Sequence, residues 1–119
     1  MKGIENKIIE AIDARRIGIV RLSERNYVEY VKELDIVKVY LWSTVIAVIF
    51  ADKVMIRSGG WKTVTTKSRL NAILRRYCDA SIYQSNHVWR VVTRLHKDGF
   101  MMDKSNETLF EDGMTIPRI

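Results

Sequence analysis

At 119 residues and 47% apolar, the chain has material for one modest hydrophobic core and too little for two, so a single domain is expected. A net charge of +6 suits a polyanionic partner and excludes a carboxylate-covered mimic of DNA; the lone cysteine, Cys78, excludes an internal disulfide or a thiolate metal cluster and fits a reducing cytoplasm. The longest apolar stretch, Val37 to Ala51, is interrupted by Lys38, Ser43 and Thr44 and falls short of the roughly 20 residues of a spanning helix, and the first residues lack the apolar block of a secretory signal, so neither membrane insertion nor export is expected.

In chain order, residues 1–36 balance seven bases against seven acids and read as an N-terminal helical element. Ile4, Ile8, Ile9 and Ile12 recur at helical spacing and predict a first helix ending near Gly18, with Arg15 and Arg16 suited to its last turn. Ile17 to Leu22 is a short strand or a link. Ser23 then caps a predicted second helix whose stripe, Tyr27, Tyr30, Val31 and Leu34, is expected to pack on a sheet.

From Ile36 the composition turns β-branched and aromatic, which predicts a long strand through Phe50, bent near Ser43. A tight connection at Ala51, Asp52 and Lys53 leads to a second strand, Val54 to Arg57, ended by Ser58, Gly59 and Gly60. Thr65 or Thr66 is the predicted N-cap of a helix through Tyr77, where Leu70, Ile73, Leu74 and Tyr77 form the packed stripe and Lys67, Arg69, Arg75 and Arg76 stay outside. Ser81 to Tyr83 and Val88 to Leu95 predict paired strands around Ser85 and Asn86, although Val88, Val91, Val92 and Leu95 also fit helical spacing. The acidic, turn-rich remainder from Asp98 holds short extended pieces such as Thr108 to Phe110. The fold class expected is α+β: a small antiparallel sheet packed by two or three helices, with residues 37–119 as the core that the helical element of residues 1–36 joins in one compact domain.

Charge is concentrated. Lys53 to Lys97 holds ten Lys and Arg against one acid, Asp79, a local charge of +9 that leaves −3 for the rest of the chain. Within it, Gly59, Gly60, Thr65 and Thr66 are candidate anion binders: the glycines permit close backbone approach, and hydroxyls and unpaired amides gather at a helix start. Lys67 and Arg69 in that first turn oppose the helix dipole, by about 0.3 to 1 kcal/mol each when exposed, which an anion there would offset. The bland alternative is a hairpin exit with a buried Trp61 and an ordinary threonine cap. Lys62, Lys67, Arg69, Arg75, Arg76, Arg90 and Arg94 are the candidate phosphate contacts, and Trp61 a candidate for stacking on a base, as in single-strand binding. Trp42 and Trp89 read as core residues. His87, His96 and Cys78 have no partners at catalytic or metal-ligand spacing, and clustered carboxylates are missing, so no metal, no cofactor and no enzymatic activity are expected.

The run from Ser58 to Asn71 resembles the signature of a family of small, mostly uncharacterised proteins of tailed bacteriophages and related mobile elements. The residues that carry it are Gly59, Gly60, Trp61, Thr63, Thr65, Thr66 and Asn71, preceded by the apolar stretch Tyr40 to Phe50 and followed by Trp89 and by Phe110, Asp112, Gly113 and Met114. The resemblance spans roughly the last eighty residues, leaves residues 1–36 outside, and implies a phage origin, a compact α+β fold and no established catalytic role. The function expected is a non-enzymatic phage accessory protein in the host cytoplasm, binding DNA, RNA or a host nucleoprotein complex through a basic face. The alternative is an inhibitor that contacts a host protein directly, in a bacterial defence or transcription complex, in the manner of an anti-CRISPR.

Overall fold

The isoleucine stripe forms α1, Ile4–Ala14, with Ile8 and Ile12 buried. It stops earlier than the sequence suggests, because Arg15 takes a left-handed conformation at the C-cap. The fold is seen in a computed structural model that describes residues 3–93, 96–97, 100–101 and 106–119.

Six strands form an antiparallel sheet. In chain order they are β1 (Gly18–Arg21), β2 (Asn26–Val31), β3 (Ile36–Leu41), β4 (Thr44–Ile49), β5 (Lys53–Ile56) and, from the C-terminal segment, β11 (Met114–Pro117). The first five are neighbours in sequence order, and β11 pairs with β5 at the far edge. After β5 comes α2, Val64–Tyr77, and then a three-stranded sheet with β7 (Val88–Thr93) between β6 (Ala80–Ser85) and β10 (Asn106–Leu109). Two-residue strands β8 (His96–Lys97) and β9 (Phe100–Met101) pair separately.

Three expectations are corrected. Ser23 to Leu34 is not a helix: its central residues are β2, in which Asn26 and Val28 face the core and the Tyr27 and Glu29 side chains take the other face. Ser23 organises a turn instead, its hydroxyl accepting from the Arg25 N–H at 3.2 Å and from Asn26 Nδ2 at 2.7 Å. The stretch from Ile36 to Phe50 is a hairpin, β3 and β4, and not one bent strand, because Trp42 takes φ 58° and turns the chain over Ser43. The helix of the basic segment is capped by Thr63 and not by Thr65 or Thr66; Thr63 Oγ1 accepts from the Thr66 N–H at 3.1 Å. The described molecule is thus α+β with two helices and two larger sheets, richer in strand than the sequence suggested.

The β6–β7 hairpin follows the reading closely. Its turn residues Asn86 and His87 both have positive φ, 51° and 63°, the pattern that matches strand twist in a two-residue loop.

One core joins the elements. Ile8 and Ile12 of α1 and Leu70, Ile73 and Leu74 of α2 cover the inner face of the large sheet, where Val28, Val39, Ala47, Ile56, Val54 and Ile116 lie. Ile82, Trp89, Val91 and Phe110 of the smaller sheet and its flank complete it, and Asn71 ties the two halves by bonding both the N–H and the C=O of Ile82. Each such aliphatic side chain contributes about 1.5 to 3 kcal/mol by leaving water. No described helix is long and apolar enough to cross a membrane.

Candidate functional site

Where the β3–β4 turn meets the loop between β5 and α2, a groove of about 460 Å³ opens, lined chiefly by Arg25, Trp42, Thr44, Trp61, Thr63 and Thr65, with Leu41, Ile46, Ser58 and Thr66 also on its walls. Trp42 and Trp61 are 58% and 69% exposed, the largest aromatic surfaces left in water among the described residues. Arg25 bonds Trp42 twice over: its carbonyl accepts the Trp42 N–H at 2.6 Å, and its guanidinium lies over the indole at 5.2 Å from the ring centre. The groove lining carries one charge, Arg25, and no carboxylate.

The opposite wall depends on glycine. At Gly59, φ is 66°, and a Cβ there would lie 2.4 Å from Thr44 Cγ2, so any side chain would be strained and would have to push Thr44 aside where the loop passes the β4 strand. Ser58, nearly fully buried, anchors the loop: Asp112 accepts from its N–H at 2.7 Å and its hydroxyl at 2.8 Å, and the same hydroxyl accepts from the Gly60 N–H at 3.1 Å. Burial works to raise the Asp112 pKa, but the bonds from Ser58 and Gly59 and the charge of Arg57 outweigh it and hold the carboxyl below its ordinary value. Trp61 and the threonines are thereby fixed at the start of α2.

Of the residues singled out in the sequence, Gly59, Gly60, Trp61, Thr65 and Thr66 come together here; Thr66 is buried behind the cap, and Thr65 is partly exposed on the groove wall. Lys62 is exposed beside the Phe110 ring, 6.0 Å from its centre. Lys67 is partly exposed and Arg75 exposed on α2. Arg69 and Arg76 instead join the helices: Arg69 meets Glu5 at 3.2 Å and Asn26 Oδ1 at 3.1 Å, and Arg76 meets Asp13 at 3.3 Å. Arg90 lies on the second sheet, opposite Tyr83 and Leu109. Arg94 falls outside the described residues.

Two groove residues escaped the sequence reading. Trp42 was expected in the core, yet it occupies the hairpin turn; the polar Ser43 and Thr44 beside it were the signal that the apolar run breaks there. Arg25 sits in the turn before β2, which a helix assignment concealed. Trp89 does lie in the core, edge-on to Phe110 with ring centres 5.2 Å apart. Cys78 is buried, which pushes its thiol up to about 11 despite the opposing charge of Arg118 and makes it a poor nucleophile. Among the described residues no three His, Cys, Asp or Glu side chains are grouped to hold a metal ion.

The chain belongs to the Kyanoviridae Gp96 protein family, whose profile matches residues 1–117, and it is therefore of phage origin. The match includes the first 36 residues, so α1, β1 and β2 belong to the family's own extent. No curated protein and no solved structure matches the chain.

Proposed function

From a phage family and a fold that leaves two tryptophans in water, we propose that this protein is a non-catalytic accessory factor that binds nucleic acid, free or within a host nucleoprotein complex. The observation that carries the reading is the groove: two exposed indoles, one arginine, several hydroxyls and no carboxylate. Aromatic faces beside cations hold nucleic acid because bases stack on the rings while phosphates meet the charge. The surplus of positive charge in residues 53–97 supplies attraction at a distance.

The phosphate contacts proposed are fewer than the basic residues of the segment. Arg69 and Arg76 are engaged by the acids of α1, whereas Lys62, Lys67, Arg75 and Arg25 keep exposed charge. Binding to an oligonucleotide will fall steeply with salt, and a Lys62→Ala, Lys67→Ala, Arg75→Ala triple variant will flatten the plot of log affinity against log salt by about 2 for single strands. Affinity that ignores salt, or a triple variant with the wild-type slope, would refute the reading.

Direct contact with a host protein is the rival, and one observation favours it. The outer face of the large sheet carries Tyr27, Val31, Ile36, Tyr40, Val45 and Met55, each only partly buried, around a Val48 that lies outside the main core cluster. Capture of host proteins that survives nuclease treatment, together with no measurable oligonucleotide binding, would select it.

A further inference from the structure

Beside the first groove lies a second of about 420 Å³, and Arg25 lines both. Its other walls include Lys7 of α1, Leu22, Asn26 and Arg69. We infer that the two grooves are one track for a single strand of nucleic acid, with unpaired bases against Trp42 and Trp61, a backbone phosphate at Arg25, and the adjoining nucleotide beside Lys7. This rests on the nucleic-acid reading above and adds to it a choice between single and double strands.

The chemistry of the walls makes that choice. An indole left more than half exposed offers a flat apolar face, and only an unstacked base has a matching face to give it; in a duplex the base faces are buried on one another. The first groove, with no carboxylate and hydroxyls from Thr44, Thr63 and Thr65, accepts the polar edges of any base, so little sequence preference is expected. In the second, Lys7 and Arg25 supply the positive charge against one carboxylate, Glu24, while Arg69 is held by Glu5 at 3.2 Å; that balance suits a phosphate and opposes a cationic peptide. Arg25 is positioned at the junction by its backbone bond to Trp42 and by the ring beneath its guanidinium, so the stacking surface and the phosphate contact move as a unit.

Titrating oligo(dT), oligo(U), a matched duplex and heparin, a polyanion without bases, while following tryptophan fluorescence tests this. Trp89 is buried, so the change reports Trp42 and Trp61. Single strands are expected to quench and to bind more tightly than duplex. Trp42→Ala and Trp61→Ala should each weaken single-strand binding roughly 5- to 150-fold and leave heparin binding unchanged, whereas Trp42→Tyr and Trp61→Tyr, which keep a ring, should retain most of it. Arg25→Gln should weaken single strands with the fluorescence of the free protein altered. Equal affinity for single strand and duplex, with both alanine variants unaffected, would overturn the track while leaving the polyanion reading in place. Failure to bind any of the four polyanions would overturn both.

Discussion

Trp42 is held at φ 58°, a backbone conformation that glycine and asparagine adopt easily and that costs a bulky residue of order 1 kcal/mol. A large apolar side chain that is both strained and exposed contributes little to folding beyond its cation–π contact with Arg25, about 0.5 to 1 kcal/mol at a surface. Trp42→Asn should therefore melt at or above the wild-type temperature while losing single-strand affinity, the separation expected where strain serves binding. A clear fall in melting temperature would show that the ring supports the hairpin. Gly59 behaves in the opposite way. Gly59→Ala brings a methyl to 2.4 Å from Thr44 Cγ2 at φ 66°, so chemical denaturation should show a loss of about 1 to 3 kcal/mol. Adding Thr44→Ser removes the clashing methyl and should recover the steric part only, leaving the backbone part of the loss; full additivity of the two substitutions would mean the two residues do not touch.

At the scale of elements, the loop that carries Trp61 is joined to the turn before β11 through Asp112 and Ser58, residues 54 apart in sequence. Because the folded pKa of Asp112 is depressed, its contribution is fully present above the ordinary value of 3.8 and disappears as pH falls through the still lower folded value. Glu5 follows the same sign from 4.5, lowered by the Ser68 hydroxyl first and, against some burial, by its backbone bond and Arg69. Acid unfolding should thus steepen below about pH 4, and Asp112→Asn should flatten that limb, a difference read by melting at pH 3 and pH 7. The tether could not be read from sequence, since it pairs side chains brought together only by β5 and β11 lying side by side. What was legible had a local cause: the isoleucines of α1, the Leu70, Ile73, Leu74 and Tyr77 stripe of α2 and the Asn86 turn each specify their own element. β2 was not, because Tyr27, Tyr30 and Val31 stand at helical spacing although the strand turns Tyr30 to the core and Tyr27 and Val31 away from it, and the cross-strand partners on β1 and β3 decide the outcome. The groove was half legible for the same reason: its glycine, tryptophan and threonine wall is contiguous in sequence, and its Arg25 and Trp42 wall exists only once β2 and β3 pair.

For the whole molecule, the +9 segment does not stand alone, because α1 lays two of its acids against α2. Glu5 accepts from Ser68 Oγ at 2.7 Å and meets Arg69, while Asp13 meets Arg76 and accepts the Tyr77 hydroxyl at 2.6 Å. The helix pair therefore ties Arg69 and Arg76 into the fold through two carboxylates. Exchanging them for amides of the same shape tests it. Glu5→Gln with Asp13→Asn keeps acceptors for Ser68 and Tyr77, so stability should fall only by the worth of one part-buried and one exposed ion pair, about 1 kcal/mol each. At the same time Arg69 and Arg76 regain uncompensated charge beside the second groove and along α2, so affinity for oligo(dT) at low salt should rise and its salt slope should steepen by about 1.4, twice the single-strand increment of about 0.7 per phosphate contact. A variant that is less stable and binds no more tightly would mean that neither arginine can reach a phosphate, and that the bound strand lies wholly on the Trp42 and Trp61 side of Arg25.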